Sequence, residues 1–379
     1  MSSSKPVKAP SFAARVIRWQ SRHGRHDLPW QGSRDPYRVW ISEIMLQQTQ
    51  VAAVVPFFRR FVERFPDVAS LARAGEDEVL ALWSGLGYYA RARNLHRAAR
   101  DVMALHAGVF PRDFEALAQL PGIGRSTAGA IAAFANGERR AILDGNARRV
   151  LARHGGIGGD PSNASVVAQL WRLAEERLPA RAIEGYTQGL MDLGATVCAR
   201  RPRCEACPVA LDCVARRDGR TAELPGRRTK AERQKRSVAM IVVVSRGEVL
   251  LEKRPASGVW GALWSLPEAR DASGVARVAE REWGIAVASI EPLAPFEHAF
   301  THFTLEVLPF RVRGRAARAP SPGRAAIWLP LADIDGAALP SPVRQLLRRS
   351  GFARAGTGAA PKGAPRRRRA PAASASPRS

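Results

Sequence analysis

The spacing of apolar residues changes once along this chain, and that change divides it into two structural halves of different kind. Up to about residue 214 the apolar residues recur every three or four positions, as in "FFRRFVERF", "DEVLALWSGLG", "DFEALAQL", "STAGAIAAFA" and "ASVVAQLWRLAEERL". Side chains at that spacing share one face of an α-helix. Asp77, Asp113 and Ser162 stand near the starts of three such runs as candidate N-caps. No alternating pattern competes there, so a mainly α domain is expected over 12–214. From residue 238 the period becomes two: "AMIVVVSRGEVLLEKR" reads as a hairpin turning at Arg246 and Gly247, and "FTLEVLPFRV" sets Phe303, Leu305 and Val307 against Thr304 and Glu306. With helical stretches at 274–283 and 341–349, a smaller α+β domain is expected over 238–350. The charged stretch 215–237, with Pro225 and Gly226, has little to pack and reads as a linker. Residues 1–11 and the basic tail 351–379 read as disordered, because neither has a periodic apolar face to bury.

A chain of 379 residues is long enough for two to three domains. Its net charge of +25 points to a polyanionic partner, most simply nucleic acid, since clustered cations gain affinity by displacing counterions from phosphates. Only six of the 59 basic residues are lysines, and in a chain this rich in Ala, Gly and Pro part of the arginine load reflects composition bias. Nothing reads as a signal peptide or membrane span: "FAARVI" is interrupted by Arg15 and "VAMIVVV" is far too short. A soluble, cytoplasmic protein with no membrane partner is expected.

All four cysteines fall in "CARRPRCEACPVALDC": Cys198, Cys204, Cys207 and Cys213, a C-x5-C-x2-C-x5-C run. Soft thiolates this dense in an intracellular chain favour a metal centre over disulfides. Zinc sites usually bring two C-x2-C arms from separated segments, whereas one C-x2-C between two outer cysteines makes a loop that can wrap a cubane. The spacing therefore favours an iron–sulfur cluster, with zinc as the alternative. Arg200, Arg201, Arg203, Arg216 and Arg217 would turn this loop toward DNA phosphates.

"LPGIGRSTAGAI", residues 120–131, reads as helix, tight turn, helix. Pro121 stops the first helix, Gly122 and Gly124 permit positive φ, and the N–H groups of Ile123, Gly124, Arg125 and Ser126 are free to point at an anion. Ala128, Gly129, Ala130 and Ala132 let the second helix pack closely. Alone, the segment would equally suit an ordinary helical hairpin.

This helix-hairpin-helix, followed by Asp144 in "ILDGNARRVLAR" and then by the cysteine loop, resembles the DNA glycosylase superfamily that includes endonuclease III. The segment "LPWQGSRDPYRVWISEIMLQQTQV", residues 28–51, is similar to the MutY family of adenine glycosylases, which act opposite 8-oxoguanine. The likeness runs from about residue 12 to residue 350. It implies a [4Fe–4S] cluster on the four cysteines and a Nudix-like second domain. It also implies a monomer acting in base excision repair on double-stranded DNA with 8-oxoguanine:adenine or guanine:adenine mispairs, on the nucleoid if the source is bacterial. Superfamily members that also cut the strand carry a lysine at the position matching Ser126, because an amine forms a Schiff base with the sugar and a hydroxyl cannot. The resemblance thus implies a monofunctional hydrolase that uses water.

Glu43 would share a helix face with Gln47 and Gln50 while Trp40, Ile44, Val51 and Val55 lie largely on another, a pattern that suits a solvated polar stripe. The resemblance instead makes Glu43 the acid and base, its pKa raised by Trp40, Ile44 and the bound base. Asp144 reads as the N-cap of a helix beginning near Gly145. A carboxylate there can also stabilise an oxocarbenium ion, which gives the two-carboxylate logic of glycoside hydrolysis. Asn146 joins Glu43 in directing water. By resemblance, Gln48 and Tyr88 are the wedges that fill the hole left by an everted base, although Tyr88 also reads as a core aromatic. Gly122, Ile123, Gly124 and Arg125 would touch DNA. Leu28, Trp30, Val51 and Met191 would form the adenine pocket, with Gln188 at its edge. Thr49 and Leu86, with Phe300, Thr301 and His302 of "FEHAFTHF", would recognise the lesion.

Aligning "GVARVAEREWGI" with the Nudix pattern keeps Arg277, Glu282, Gly284 and Ile285, but Val278 and Arg281 stand where metal-binding acids belong. Lesion recognition rather than diphosphate hydrolysis is therefore expected of this domain. Two departures from the family are Thr301, where a serine is usual, and five residues rather than six between the first two cysteines. A bifunctional endonuclease III-like glycosylase–lyase would require a lysine at 126, and a non-catalytic iron–sulfur DNA-binding protein would not depend on Glu43.

Overall fold

The computed structural model describes residues 10–226, 233–316, 321 and 323–349. Residues 1–9, 227–232 and 350–379, where disorder and linker are predicted, lie outside the described residues.

The first half is helical: α1 (Phe12–His23), α2 (Pro36–Leu46), α3 (Val51–Arg64), α4 (Val68–Arg73), α5 (Glu76–Trp83), α6 (Ala90–Leu105), α7 (Phe114–Gln119), α8 (Arg125–Asn136), α9 (Gly145–Gly155), α10 (Ala164–Glu176), α11 (Ile183–Asp192) and α12 (Val214–Arg217). Their starts follow local chemistry. Ser11, in the stretch expected to be disordered, caps α1 by accepting from Ala14 N–H. Asp113 caps α7 as expected. The other two candidate caps sit slightly off. Gly75 precedes α5, and Asp77 lies in its first turn; Asn163 caps α10, and Ser162 bonds Asp160 instead.

The expected linker, 215–237, is narrower than its charge suggests. Ala215 and Leu224 are buried, Arg153 Nε donates to Leu224 O at 2.8 Å, and the first strand already begins at Gln234. Two apolar anchors hold one end. The other is held by a backbone ladder that does not depend on side-chain polarity.

The second half is built on β1 (Gln234–Ser245), β2 (Glu248–Lys253), β3 (Trp264–Ser265), β4 (Glu268–Ala269), β5 (Ile285–Pro292), β6 (Phe296–Ala299), β7 (Phe303–Ala316) and β8 (Ala326–Pro330), with helices α13 (Val275–Arg281) and α14 (Ser341–Arg349). The main sheet order is β3-β2-β1-β7-β5. β1 runs parallel to β7 from Gln234↔Phe303 to Val243↔Val312, then turns at Arg246–Gly247, both at positive φ, into β2. Alternate residues of β1 enter different cores. Ala239, Ile241 and Val243 pack with Val275, Val278 and Ala279 of α13, whereas Met240 and Val242 join the cluster that holds Val343, Leu346 and Leu347 of α14. Both faces of the sheet are covered, as in an α/β layer.

That second cluster continues into the helical half through Trp40, Phe61 and Trp83, so one apolar core crosses the domain boundary. Polar bonds reinforce it: Arg93 Nη1 to Gly261 O at 2.7 Å, Arg344 Nη2 to Ser84 Oγ at 2.9 Å, and Trp264 Nε1 to Asp77 Oδ2 at 3.1 Å. Among the described residues no helix is long and apolar enough to cross a membrane.

Candidate active site and nucleic-acid interface

Asp35 caps α2 through Tyr37 N–H, Pro36 opens it, and Trp40, Ile41, Ile44 and Met45 anchor it in the core. The helix ends at Leu46. Gln47 is its C-cap, Gln48 turns at φ 57°, and Gln50 already precedes α3, so the expected Glu43–Gln47–Gln50 stripe does not form. Glu43 faces a cavity of about 440 Å³, which it lines with Leu28, Trp30, Val51, Gln188 and Met191. Arg25, Glu43, Leu46, Val51 and Met191 also line a second cleft, of about 590 Å³, together with Gln48, Thr49, Ser126, Asp144 and Asn146. Glu43 thus stands on the wall between the two spaces. Burial, and secondly the charge of Asp144, push its pKa up to about 8.

Asp144 is the N-cap of α9, accepting from Ala147 N–H at 2.8 Å and Asn146 N–H at 3.2 Å. Ser126 Oγ accepts from Leu143 N–H at 2.9 Å, which ties the start of α8 to the residue before Asp144. A π-helical turn, Leu193–Val197, approaches Asn146 so closely that a Cβ on Gly194 would lie 2.6 Å from Asn146 Cβ. Arg149 spans this junction, donating to Asn146 Oδ1 at 2.8 Å, Gly194 O at 2.6 Å and Cys198 O at 2.7 Å.

The turn between α7 and α8 differs in detail from expectation. Gly122 takes φ 81°, where a Cβ would meet Asn94, but Gly124 is extended at φ −87° and needs no positive φ. The Ile123 N–H is not free, because it closes the turn onto Leu120 O at 3.1 Å. The N–H groups of Gly124, Arg125 and Ser126 remain at the α8 N-terminus, where an anion is favoured. The Arg125 side chain lies over the Trp171 ring at 3.9 Å and pairs with Glu175.

Gln48 and Tyr88 both adopt left-handed backbone, at φ 57° and 50°, and Tyr88 is 49% exposed. Non-glycine residues there are strained and need surrounding structure to hold them. Arg91 supplies it. Buried at 8% exposure, it donates to Ile44 O, Met45 O, Gln47 O, Thr49 Oγ1, Leu86 O and Gly87 O. Sequence reasoning missed Arg91, because one arginine among many carries no periodic signal.

Gln48 and Tyr88 line an inter-domain cavity of about 690 Å³ with Phe300, Thr301 and His302. The last three form the β6–β7 turn, closed by Phe300 N–H to Phe303 O at 2.9 Å. Phe300 stacks on Phe303 at 4.6 Å and packs against His298 and Trp260, leaving Thr301 and His302 exposed at the tip. The structure does not gather the other two predicted lesion contacts here. Thr49 lines the neighbouring cleft and the Leu86 side chain is buried in the core.

Cys198, Cys204, Cys207 and Cys213 line one small hollow with Val150, Val197 and Val209. Among the described residues no three His, Cys, Asp or Glu side chains are drawn into metal-coordinating geometry. The donor set and its setting nevertheless fit a metal centre. Burial pushes the Cys207 thiol up to about 11, and the other three cysteines add to it, so four thiolates need a compensating cation. Arg153, 4% exposed, approaches Cys198 Sγ at 3.4 Å and holds Ala199 O at 2.7 Å.

In the second domain Val278, at a Nudix acid position, is core. Glu282, which that pattern keeps, is paired with Arg324, which also reaches Glu252, and Arg254 pairs with Glu252 and Glu268 at 2.9 Å.

Two family models match the chain: the HhH-GPD superfamily base excision DNA repair protein over residues 41–176 and the NUDIX domain over 238–349. The adenine DNA glycosylase of Buchnera aphidicola subsp. Acyrthosiphon pisum is 35% identical over 338 residues, covering 89% of this chain and 96% of that protein. The mouse adenine DNA glycosylase is 33% identical over 399 residues, covering 89% and 77%. The solved structure of a thermostable thymine-DNA glycosylase is 29% identical, with a TM-score of 0.49 over 55% of this chain and 95% of that one. With relatives more than 30% identical matched over 77–96% of their own length, the chain belongs to the adenine DNA glycosylase family.

Proposed function

We propose that this chain excises adenine mispaired with 8-oxoguanine or guanine from double-stranded DNA, as a monofunctional N-glycosylase in base excision repair. One observation carries the reading. Glu43, with its pKa pushed up to about 8, sits on the wall between a cavity with room for a purine and the cleft that holds Asp144. Adenine everted into the cavity meets a proton-bearing carboxyl, while its sugar lies on the Asp144 side. Glu43 protonates a purine nitrogen, the N-glycosidic bond breaks with its electron pair leaving on the base, and Asp144 stabilises the cationic sugar. Glu43, now a carboxylate, and Asn146 then direct water to the sugar carbon.

Eversion costs a few kcal/mol of stacking and pairing, which Gln48 and Tyr88 offset by entering the vacated space. The α8 N-terminus grips a backbone phosphate, and Phe300, Thr301 and His302 meet the opposite base. Cys198, Cys204, Cys207 and Cys213 would hold a [4Fe–4S] cluster, whose bound form supplies the charge that keeps four thiolates together. The DNA substrate points to the cytoplasm, on the nucleoid in a bacterium.

The test is incubation with a duplex carrying adenine opposite 8-oxoguanine, followed by hot alkali. Strand scission only after alkali, with little covalent complex on borohydride treatment, is expected because Ser126 offers no amine. Scission without alkali and efficient trapping would favour the glycosylase–lyase, and intact adenine the non-catalytic binder.

A further inference from the structure

Asp192, at the end of α11, is wholly buried and surrounded by donors. Its Oδ1 accepts from Arg25 Nε at 2.7 Å, Arg25 Nη2 at 2.6 Å and Gln188 Nε2 at 2.9 Å, and its Oδ2 accepts from the Arg25 backbone N–H at 2.9 Å. A carboxylate paired with a guanidinium only accepts, so the Gln188 amide has one satisfactory orientation. Its NH₂ turns inward to Asp192, and Oε1 is the atom left to the base cavity, which Gln188, Arg25 and Glu43 line together. A glutamine with both amide atoms free pairs bidentately with adenine, its NH₂ on N7 and its oxygen on the 6-amino group. Here one N–H of the amide is already committed to Asp192, which sets the orientation of the whole group.

We infer that Asp192 is a positioning residue for base specificity. By fixing the orientation of Gln188 so that its oxygen faces the base, it selects a 6-amino over a 6-oxo purine. The inference rests on the proposed adenine excision. An acceptor opposite a 6-oxo group sets two lone pairs against each other, and turning the amide over to relieve this would set its oxygen against the Asp192 carboxylate instead.

The experiment compares single-turnover release of adenine, hypoxanthine and unsubstituted purine, each opposite guanine, by the full chain. Gln188→Leu, which leaves the Arg25–Asp192 pair intact, should slow adenine about tenfold more than purine, which has no 6-amino group to lose. Asp192→Asn frees the amide to turn and should lower the adenine-to-hypoxanthine rate ratio about tenfold. Should Asp192→Asn fail to fold, Asp192→Glu, which keeps the charge and displaces the acceptor, takes its place with the same expected fall in the ratio. The inference is overturned if Gln188→Leu slows adenine and purine alike, or if Asp192→Asn folds and keeps the wild-type ratio. A wild-type chain that releases no adenine sinks the underlying function instead, a result distinct from altered ratios.

Discussion

Glu43 faces its cavity with no ion-pair partner among the described residues, whereas Glu252, Glu268 and Glu282 of the second domain are threaded by Arg254 and Arg324. Burial raises the pKa of Glu252 and Glu268 as it does that of Glu43, but the guanidinium groups pull both back. Around Glu43 the neighbouring charge is Asp144, which adds to the rise. A buried acid with no cation beside it keeps a proton to give. A buried acid between arginines becomes part of the framework.

The largest effect expected is on Glu43. Glu43→Gln should slow adenine release at least about a hundredfold in single-turnover assays. A rate near wild type would erase the contrast. Its stability should move the other way with pH. The folded-state pKa of about 8 lies above the ordinary 4.5, so the stabilising proton is fully held below about 4.5 and lost as pH rises through 8. The variant should therefore exceed wild type in unfolding free energy by a few kcal/mol near pH 9 and show no gain near pH 4. Wild-type excision should likewise fall as pH rises above about 8.

Next comes Arg254→Met, which strips Glu268 of its arginine and leaves Glu252 with Arg324 alone, and should lose about 3 kcal/mol in denaturant unfolding. Excision opposite guanine should stay within about twofold, because the chemistry lies in the other domain. A neutral variant would mean that the arginines do not hold this framework. His302→Ala is smaller still: the preference for 8-oxoguanine over guanine opposite adenine should fall about tenfold, as one hydrogen bond is lost. Smallest is Thr301→Ser, which keeps the hydroxyl and should change either rate by less than about twofold.

The domain plan and the base cavity were legible because they rest on period and on residues of distinctive type. The switch of period placed the helical and mixed halves, and Leu28, Trp30, Val51, Gln188 and Met191 do line one cavity with Glu43. The helical stripe through Gln47 and Gln50 failed because nothing in "LQQTQV" announces that the chain leaves the helix at Leu46. The turn at Gly122–Gly124 was half legible: the break was visible, but not which N–H closes it. Arg25, Arg91, Asp192 and Arg149 stayed hidden for a common reason. Each acts through carbonyls or carboxylates distant in sequence, and a pairing of that kind leaves no mark on local periodicity. The ends of the apparent linker were misread because charge density says nothing about a backbone ladder.

Arg91 holds carbonyls on both sides of the gap between Gln48 and Tyr88. The backbone turns that carry the two side chains are thus mounted on one rivet, so the span between their roots is fixed. On the function proposed above, a helix of DNA passing beneath would meet a two-pronged caliper whose roots keep a fixed span.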